Sequence, residues 1–309
     1  MAKISCSNYG YREWRLPKVI PSMARIGYKG IEIVTEGVAG RNHLNPDSDQ
    51  SYIDEVNGLL EHHGMRVACV SPGNDFYKPR RGTIEEEIKH VTSNVDLAVK
   101  VGAPVIRVQA AGLRGKQKPY RLPEGVSRSK FIETIAGPLS KCVDYGRSRG
   151  VKLAIETHAN LWAAVPENMR DLLDAVRSDY LGICLHTLLE YAVETVSTLG
   201  DKILHLHLSD TSRAAQRAGL ITRLRSRGLG DSDIMKELRL TREEFEKALT
   251  WQHREIHLGE GEVNFKTIFQ GLRDAGYPGW WNYEGHSTDN PEEYARRAYI
   301  YINKLLREK

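Results

Sequence analysis

Short β-rich runs alternate with longer helical patterns along almost the whole chain, and this alternation constrains the fold more than any single motif. The runs fall at residues 3–7, 30–34, 66–71, 105–109, 152–156, 181–186, 203–208 and 280–284. Helical patterns occupy 18–27, 49–64, 84–102, 128–149, 166–178, 190–200, 264–276 and 291–307. Gly64, Gly102, Gly150 and Gly276 stand where helices end before a strand, as left-handed C-terminal caps do. Asn290-Pro291-Glu292-Glu293 opens the last helix with a cap, an early proline and early carboxylates. Eight βα units in series predict the α/β class and a (β/α)8 TIM barrel, a closed parallel sheet inside a ring of helices. An open doubly wound sheet would carry a glycine-rich phosphate loop after its first strand. Here that strand runs into Asn8-Tyr9-Gly10-Tyr11 instead. No linker divides the chain, so residues 1–309 read as one domain.

The regular spacing fails once. Residues 210–263 separate the seventh strand from the next helix. A loop that long inside a compact domain carries function or structure of its own. Residues 231–238 and 241–249 read as helical, the second capped by Thr241. Arg213, Arg217, Arg223, Arg225 and Arg227 fall in the front half with no acid among them. The segment reads as a partly helical insertion after strand seven: a solvated or oligomer-contacting piece, or a lid whose arginines meet an anionic group. Leu220, Leu224, Leu229, Ile234, Leu238, Phe245 and Leu249 give it apolar surface to bury, on its own barrel or on a partner in a homo-oligomer.

Composition sets outer bounds. Of 309 residues, 40% are hydrophobic and 27% charged, an ordinary balance for a soluble globular protein. No apolar run approaches the ~20 residues needed to span a bilayer. The first residues lack the pattern of a secretory signal. A cytoplasmic protein with no membrane partner is expected. Cys6, Cys69, Cys142 and Cys184 are far apart and form no CxxC pair, which favours reduced thiols. A formal net charge of +4 is too weak to argue for a nucleic-acid partner.

Side-chain parity gives the chemistry. Alternate strand residues face opposite sides, and in a barrel one side is the interior. In strand five, Leu153 and Ile155 suit the helix side, leaving Glu156 and His158 facing in. The same rule turns in His186 on strand six, and His205 and His207 on strand seven, where Leu204, Leu206 and Leu208 face out. On strand eight it turns in Asn282, Glu284 and His286. Four consecutive strands thus place a carboxylate or imidazole inward at their C-terminal ends, where barrel active sites lie. Glu156, His186, His207 and Glu284 form a donor set suited to a divalent first-row metal. Glu32 on strand two, and Arg107 and Gln109 on strand four, are further inward candidates. Glu32 suits a second acid/base group or a buried partner for a cation, and Arg107 and Gln109 suit contact with substrate hydroxyls or neutralisation of buried carboxylates.

At these residues the sequence resembles the xylose isomerase-like TIM-barrel superfamily of sugar isomerases and epimerases, which includes inosose dehydratase-like proteins. The resemblance rests on Gly30-Ile31-Glu32-Ile33, Leu153-Ala154-Ile155-Glu156-Thr157-His158, His205-Leu206-His207-Leu208-Ser209-Asp210, Gly259-Glu260-Gly261-Glu262-Val263-Asn264-Phe265, and Glu284. It implies that Glu156 and Glu284 bind the metal and also move protons. It implies further that His207 is the strand-seven ligand and that Arg213 contacts substrate. Two positions depart from the pattern. His186 stands where an aspartate is usual, and Leu189 where a histidine is usual. A nitrogen for an anionic oxygen shifts preference from magnesium toward manganese first, with zinc, cobalt or iron as alternatives.

The expectation is an enzyme acting on a small carbohydrate: a divalent-metal-dependent isomerase or epimerase of a sugar, keto-sugar or polyol. It would move a proton through an enediolate stabilised by the metal. The alternative is a dehydratase or lyase on an inosose, keto-sugar or keto-glycoside, with a histidine protonating the leaving group. Glu156, Glu284 and His158 are the expected catalytic groups. Arg213, Arg107, Gln109, Glu32, His205 and His286 are the expected substrate contacts. A phosphodiesterase acting on DNA would want more metal ligands and a basic surface. A barrel that has lost activity is the reading left by the altered ligand at 186.

Overall fold

The computed structural model describes residues 3–112, 122, 124–158, 161–187, 191–250 and 256–308. Its strands are β1 (Ile4–Ser7), β2 (Gly30–Val34), β3 (Arg66–Ser71), β4 (Val105–Val108), β5 (Lys152–Glu156), β6 (Leu181–His186), β7 (Ile203–His207) and β8 (Trp281–Tyr283). The helices are α1 (Leu16–Ile26), α2 (Gly37–Asn42), α3 (Gln50–His62), α4 (Ile84–Lys100), α5 (Arg128–Arg149), α6 (Pro166–Val176) and α7 (Ala192–Leu199). Then follow α8 (Arg213–Arg225), α9 (Asp231–Leu238), α10 (Arg242–Leu249), α11 (Phe265–Asp274) and α12 (Pro291–Arg307).

The eight strands pair in parallel in the order β7-β6-β5-β4-β3-β2-β1-β8. A parallel bridge between Leu208 and Tyr283 joins the two ends of that order. There the Leu208 N–H donates to Asn282 O at 2.9 Å and the Glu284 N–H to Leu208 O at 3.0 Å. The sheet is a TIM barrel. Its helix-facing residues, among them Ile31, Ile33, Ile106, Leu153, Ile155, Ile183, Leu185, Leu206 and Leu208, bury against the helices in one continuous core. Gly150 adopts φ +74° where α5 turns into β5, and Gly64, Gly102 and Gly276 are left-handed in the same way. The four cysteines are free and buried. Among the described residues, no helix is long and apolar enough to cross a membrane.

Three details differ from the sequence reading. Gln109, Leu208, Trp280 and Glu284 lie just beyond the strands they were expected to end, although Leu208 and Glu284 still take part in the closing bonds. Leu204 does not point outward. The ladder pairs Ile183 with Ile203 but Cys184 with His205, so Leu204 is an extra residue in β7. It packs instead against Cys69, Val105, Ala154 and Cys184, a small cluster on the inner side. The bulge leaves the inward parity of His205 and His207 intact. Helices α2 and α8 were not foreseen. The first is a single short turn-rich piece. In the second the buried stripe is Ala214, Ala218, Ile221 and Leu224, half of it alanine, and the arginines between mask its period.

The insertion closes on itself. Ala218, Ile221, Leu224, Ile234, Phe245 and Ala248 bury one another, with Leu229, Met235, Leu238, Leu240 and Leu249 packed around them. This cluster is separate from the barrel core. Among the described residues of the insertion most of these apolar side chains thus bury one another, while Leu220 is exposed. Its neck is tied by Asp210, whose carboxylate accepts N–H bonds from Gly259 at 2.8 Å, Gly261 at 3.0 Å and Val263 at 3.3 Å. A Cβ on Gly261 would collide with that carboxylate, so glycine is required there. The aspartate of the strand-seven motif and the glycine-rich turn are therefore two halves of one clasp.

Candidate active site

The sequence places a short polar residue or a titratable group inward on most strands, and the closed ladder brings them onto one axis. Deepest is Glu32, fully buried on β2. Its Oε2 accepts from His205 Nε2 at 2.5 Å, His207 Nε2 at 2.9 Å and Asn282 Nδ2 at 3.1 Å, while Ser7 Oγ donates to Oε1 at 3.1 Å. Burial alone would push this carboxyl up, but His207 and His205 bring it down to about 2. With both oxygens engaged, Glu32 orients the histidines above it. Glu32 and His205, both expected as substrate contacts, are fully buried and in contact with each other.

One layer higher, His207 Nδ1 points the other way, 2.9 Å from Glu156 Oε1 and 3.4 Å from Glu284 Oε1. Burial opposes a charged imidazole. Cys184 and the carboxylates Glu284 and Glu32 reverse this and lift His207 well above its usual value. The space between Glu156 and Glu284 therefore favours positive charge. Those two carboxyls are held well below the ordinary range against their own burial, Glu156 by Arg107 and His207, Glu284 by His207 and His186. His186 Nε2 lies 3.1 Å from Glu284 Oε2. Yet among the described residues His186 Nδ1 is buried with no hydrogen-bond partner, and Glu284 Oε2 has no well-aligned hydrogen bond beyond its ion pair with His186. Buried polar atoms are nearly always satisfied, so an atom left open at a concave strand end asks for an occupant.

Donor atoms of Glu32, His207 and Glu284 lie within 4.8 Å of one another, as do those of His186, Glu284 and His286. Glu284 is common to both groups. Glu156 is in neither group and is joined to them through His207 Nδ1 at 2.9 Å. Two carboxylates and two imidazoles in a pocket that favours positive charge have the chemistry to hold a divalent cation. A further triad, Glu32, Cys69 and His205, sits deeper and is fully buried.

The remaining expected residues divide. Gln109 donates from Nε2 to Glu156 Oε2 at 2.9 Å. Arg107, buried, donates to Pro72 O at 2.9 Å and lies 3.8 Å from Glu156 and 3.7 Å from Glu36. Both steady Glu156. His158 stacks edge-on against His186 with ring centroids 4.9 Å apart. Burial and His186 lower it to about 4, so its imidazole is neutral. His286 is half-exposed, 3.7 Å from Glu284 and edge-on to Tyr9. Arg213 is the first residue of α8, which Ser212 caps, and its side chain is 78% exposed with the guanidinium 3.8 Å from Glu262. Among the described residues, no hydrogen bond or ion pair joins it to the buried cluster. Leu189 lies outside the described residues.

Sequence reasoning missed Glu36 and Arg80. Arg80 Nη1 donates to Glu36 Oε2 at 2.9 Å and Nη2 to Gln109 Oε1 at 2.6 Å, so a chain of bonds runs from the rim to Glu156. Parity could have found Glu36, which continues the inward series Glu32, Val34 past the end of β2. Arg80 comes from the β3–α4 loop, and no period marks it.

Comparison with known proteins agrees with the fold. A fructoselysine 3-epimerase of Shigella flexneri is 22% identical across 97% of this chain and 96% of its own length. An inosose dehydratase of Yersinia enterocolitica is 23% identical across 95% of this chain and 91% of its own. The crystal structure of the IolI protein with a binding zinc atom superposes with a TM-score of 0.70 at 16% identity, covering 98% of both chains. The model of the xylose isomerase-like TIM barrel family matches residues 21–305. The chain belongs to the xylose isomerase-like TIM-barrel family, a family of enzymes.

Proposed function

We propose that the protein is a divalent-metal-dependent isomerase or epimerase of a keto-sugar or polyol, with Glu156, His186, His207 and Glu284 as the metal-holding residues. The observation that carries this reading is the pair of carboxylates converging on His207 Nδ1 beside His186 Nδ1, which is unpartnered among the described residues. When bound, the ion supplies Lewis-acid polarisation of a substrate carbonyl and neighbouring hydroxyl. The nitrogen ligand at 186 shifts preference away from magnesium toward manganese, zinc, cobalt or iron, of which manganese is the ion proposed.

The chain's own residues do the rest. Glu32 holds the Nε2 side of His207, which leaves Nδ1 for the centre and fixes the ring. Glu156 and Glu284 are both ionised, so either can accept the proton next to the carbonyl, and the other can return one. Gln109 and Arg107 fix the orientation of Glu156. Neutral His158 is suited to hydrogen-bond a substrate hydroxyl rather than to act as a strong acid. Arg213 remains the proposed outer contact, reached by closure of the insertion over the mouth.

The position of His286 favours a second reading. Half-exposed at the rim and close to Glu284, it can protonate a leaving hydroxyl, which would make the enzyme a dehydratase or lyase. Incubating the manganese-loaded protein with ketohexoses and inososes in D2O tests both. Solvent deuterium entering the product at unchanged carbon skeleton marks isomerisation, whereas a product lighter by one water marks elimination. Absence of exchange with every substrate of both classes would contradict the shared proton abstraction.

A further inference from the structure

Gln109 stands just past the end of β4, and each of its polar heavy atoms has a partner. The fully buried Asn74, which follows β3, takes over its backbone. The Gln109 N–H donates to Asn74 Oδ1 at 2.9 Å, and Asn74 Nδ2 donates to Gln109 O at 2.8 Å. One side-chain amide thus continues the pairing of β3 with β4 past the last strand residue, and it fixes the backbone of Gln109. The two ends of the Gln109 side-chain amide have nearly the same shape, so shape alone does not decide which one meets Glu156. Arg80 decides it. A guanidinium carries only N–H donors and no acceptor. The end that lies 2.6 Å from Arg80 Nη2 is therefore Oε1, and Nε2 is turned to Glu156 Oε2 at 2.9 Å.

Arg80 is held in turn by a buried carboxylate. Glu87, fully buried in the first turn of α4, accepts the backbone N–H of Arg80 and, at 3.0 Å, that of Arg81. It also accepts the Asp75 N–H at 3.3 Å and pairs with the Arg81 guanidinium at 3.2 Å. The loop between β3 and α4 is thus tied to one carboxylate before, at and after Arg80. Glu36 Oε2 steadies Arg80 Nη1 at 2.9 Å, which leaves Nη2 for Gln109. Gly73 provides the space, since a Cβ there would collide with the Glu36 carboxylate and crowd Arg80 Nη1.

At Glu156 the two oxygens come out different. Oε2 accepts from Gln109 Nε2 and faces Arg107 Nη1 at 3.8 Å. Oε1 lies 2.9 Å from His207 Nδ1, on the side of the proposed centre. We propose that Arg80 is a positioning residue: by fixing the sense of the Gln109 amide it anchors Glu156 Oε2 and commits Oε1 to the centre. The inference rests on the reading of Glu156 as a metal-holding residue. It adds that a loop outside the barrel sets how firmly that carboxylate is presented. Without Arg80 the amide is free to turn over, and Gln109 Oε1 would then face a carboxylate that offers it no donor.

Two readouts on the full-length protein test this with R80M, Q109M and the double variant R80M/Q109M. Methionine keeps most of the reach of either side chain and removes its hydrogen bonds. The first readout is the side-chain amide spectrum of ¹⁵N-glutamine-labelled protein before manganese is added, where the signal missing from Q109M belongs to Gln109. In wild type this signal should lie apart from those of exposed glutamines, and in R80M it should move toward them. The second is manganese affinity by calorimetry. Q109M should lose about tenfold and R80M about fivefold, while R80M should cost less than about twofold more on the Q109M background. Charge alone predicts the opposite sign, since removing a cation near a divalent ion tightens its binding. An unmoved Gln109 signal in R80M, an unchanged or tighter manganese affinity, or losses that add in the double variant would overturn the proposal. Wild type that bound no manganese would sink the metal-holding reading instead, and the amide signal would still decide whether Arg80 fixes Gln109.

Discussion

The barrel and the insertion solve the same problem in opposite ways. Each must bury apolar side chains, but the barrel does so around a continuous core shared by all eight strands and the helices around them. The insertion buries six residues of α8, α9 and α10 among themselves, on a neck clasped by Asp210. In the barrel a side chain at a strand end is held from several sides, so four such residues can be set to fractions of an ångström. The apolar cluster of the insertion is separate from the core that holds them. The proposed function places the chemistry in the barrel and gives access and selection to the loops. Substitutions in the two regions should fail in different ways.

The largest effect is expected at the barrel centre. Glu156→Gln and Glu284→Gln should each lower kcat by at least about a thousandfold, because each removes a proposed ligand charge and a proton-transfer group together. Circular dichroism and melting curves should stay close to wild type, which separates chemistry from folding. Near-normal turnover in both would move the chemistry out of the barrel centre. Next is Glu32→Gln, which keeps the shape but removes the charge facing two histidines. It should weaken manganese binding by about 10- to 100-fold, as loss of a residue orienting a metal-bound histidine does. Competition with a chelating dye would measure it, and unchanged affinity would mean that His207 is held without Glu32.

The insertion should respond more mildly. Asp210→Ala unclasps the turn at Gly259, Gly261 and Val263, and three backbone bonds to a carboxylate are lost. Limited proteolysis within residues 213–250 should become severalfold faster, KM should rise by about tenfold, and manganese affinity should hold. A parallel loss of metal would blur the contrast between the two regions. Arg213→Ala should raise KM a few-fold, on the order of a single solvent-screened contact, and leave kcat alone. No change at all would make Arg213 a partner of Glu262 and nothing more.

How much of this was legible beforehand follows the same division. Strand positions and inward parity were readable because a closed sheet makes period two binding on every strand: Glu156, His186, His207 and Glu284 all face where parity put them. The bulge at Leu204 was not readable, since a single extra residue leaves no mark in an Ile-Leu-His-Leu run. Nor was the difference in depth between His205 and His207, because parity gives side but not height. Glu32 and His205 were expected as substrate contacts and are bonded to each other in full burial. Arg80 comes from a loop, and α8 hides its apolar stripe behind alanine, so neither offered a period to read.

The central claim is that one divalent ion sits between Glu156, His186, His207 and Glu284. Anomalous diffraction from crystals soaked in manganese tests it directly. The expected result is one strong peak per chain, about 2.0–2.3 Å from a carboxylate oxygen of Glu156 and of Glu284, from His207 Nδ1 and from a ring nitrogen of His186. No peak at the strand ends, or a peak held by Glu32, Cys69 and His205 in the deeper layer, would contradict it.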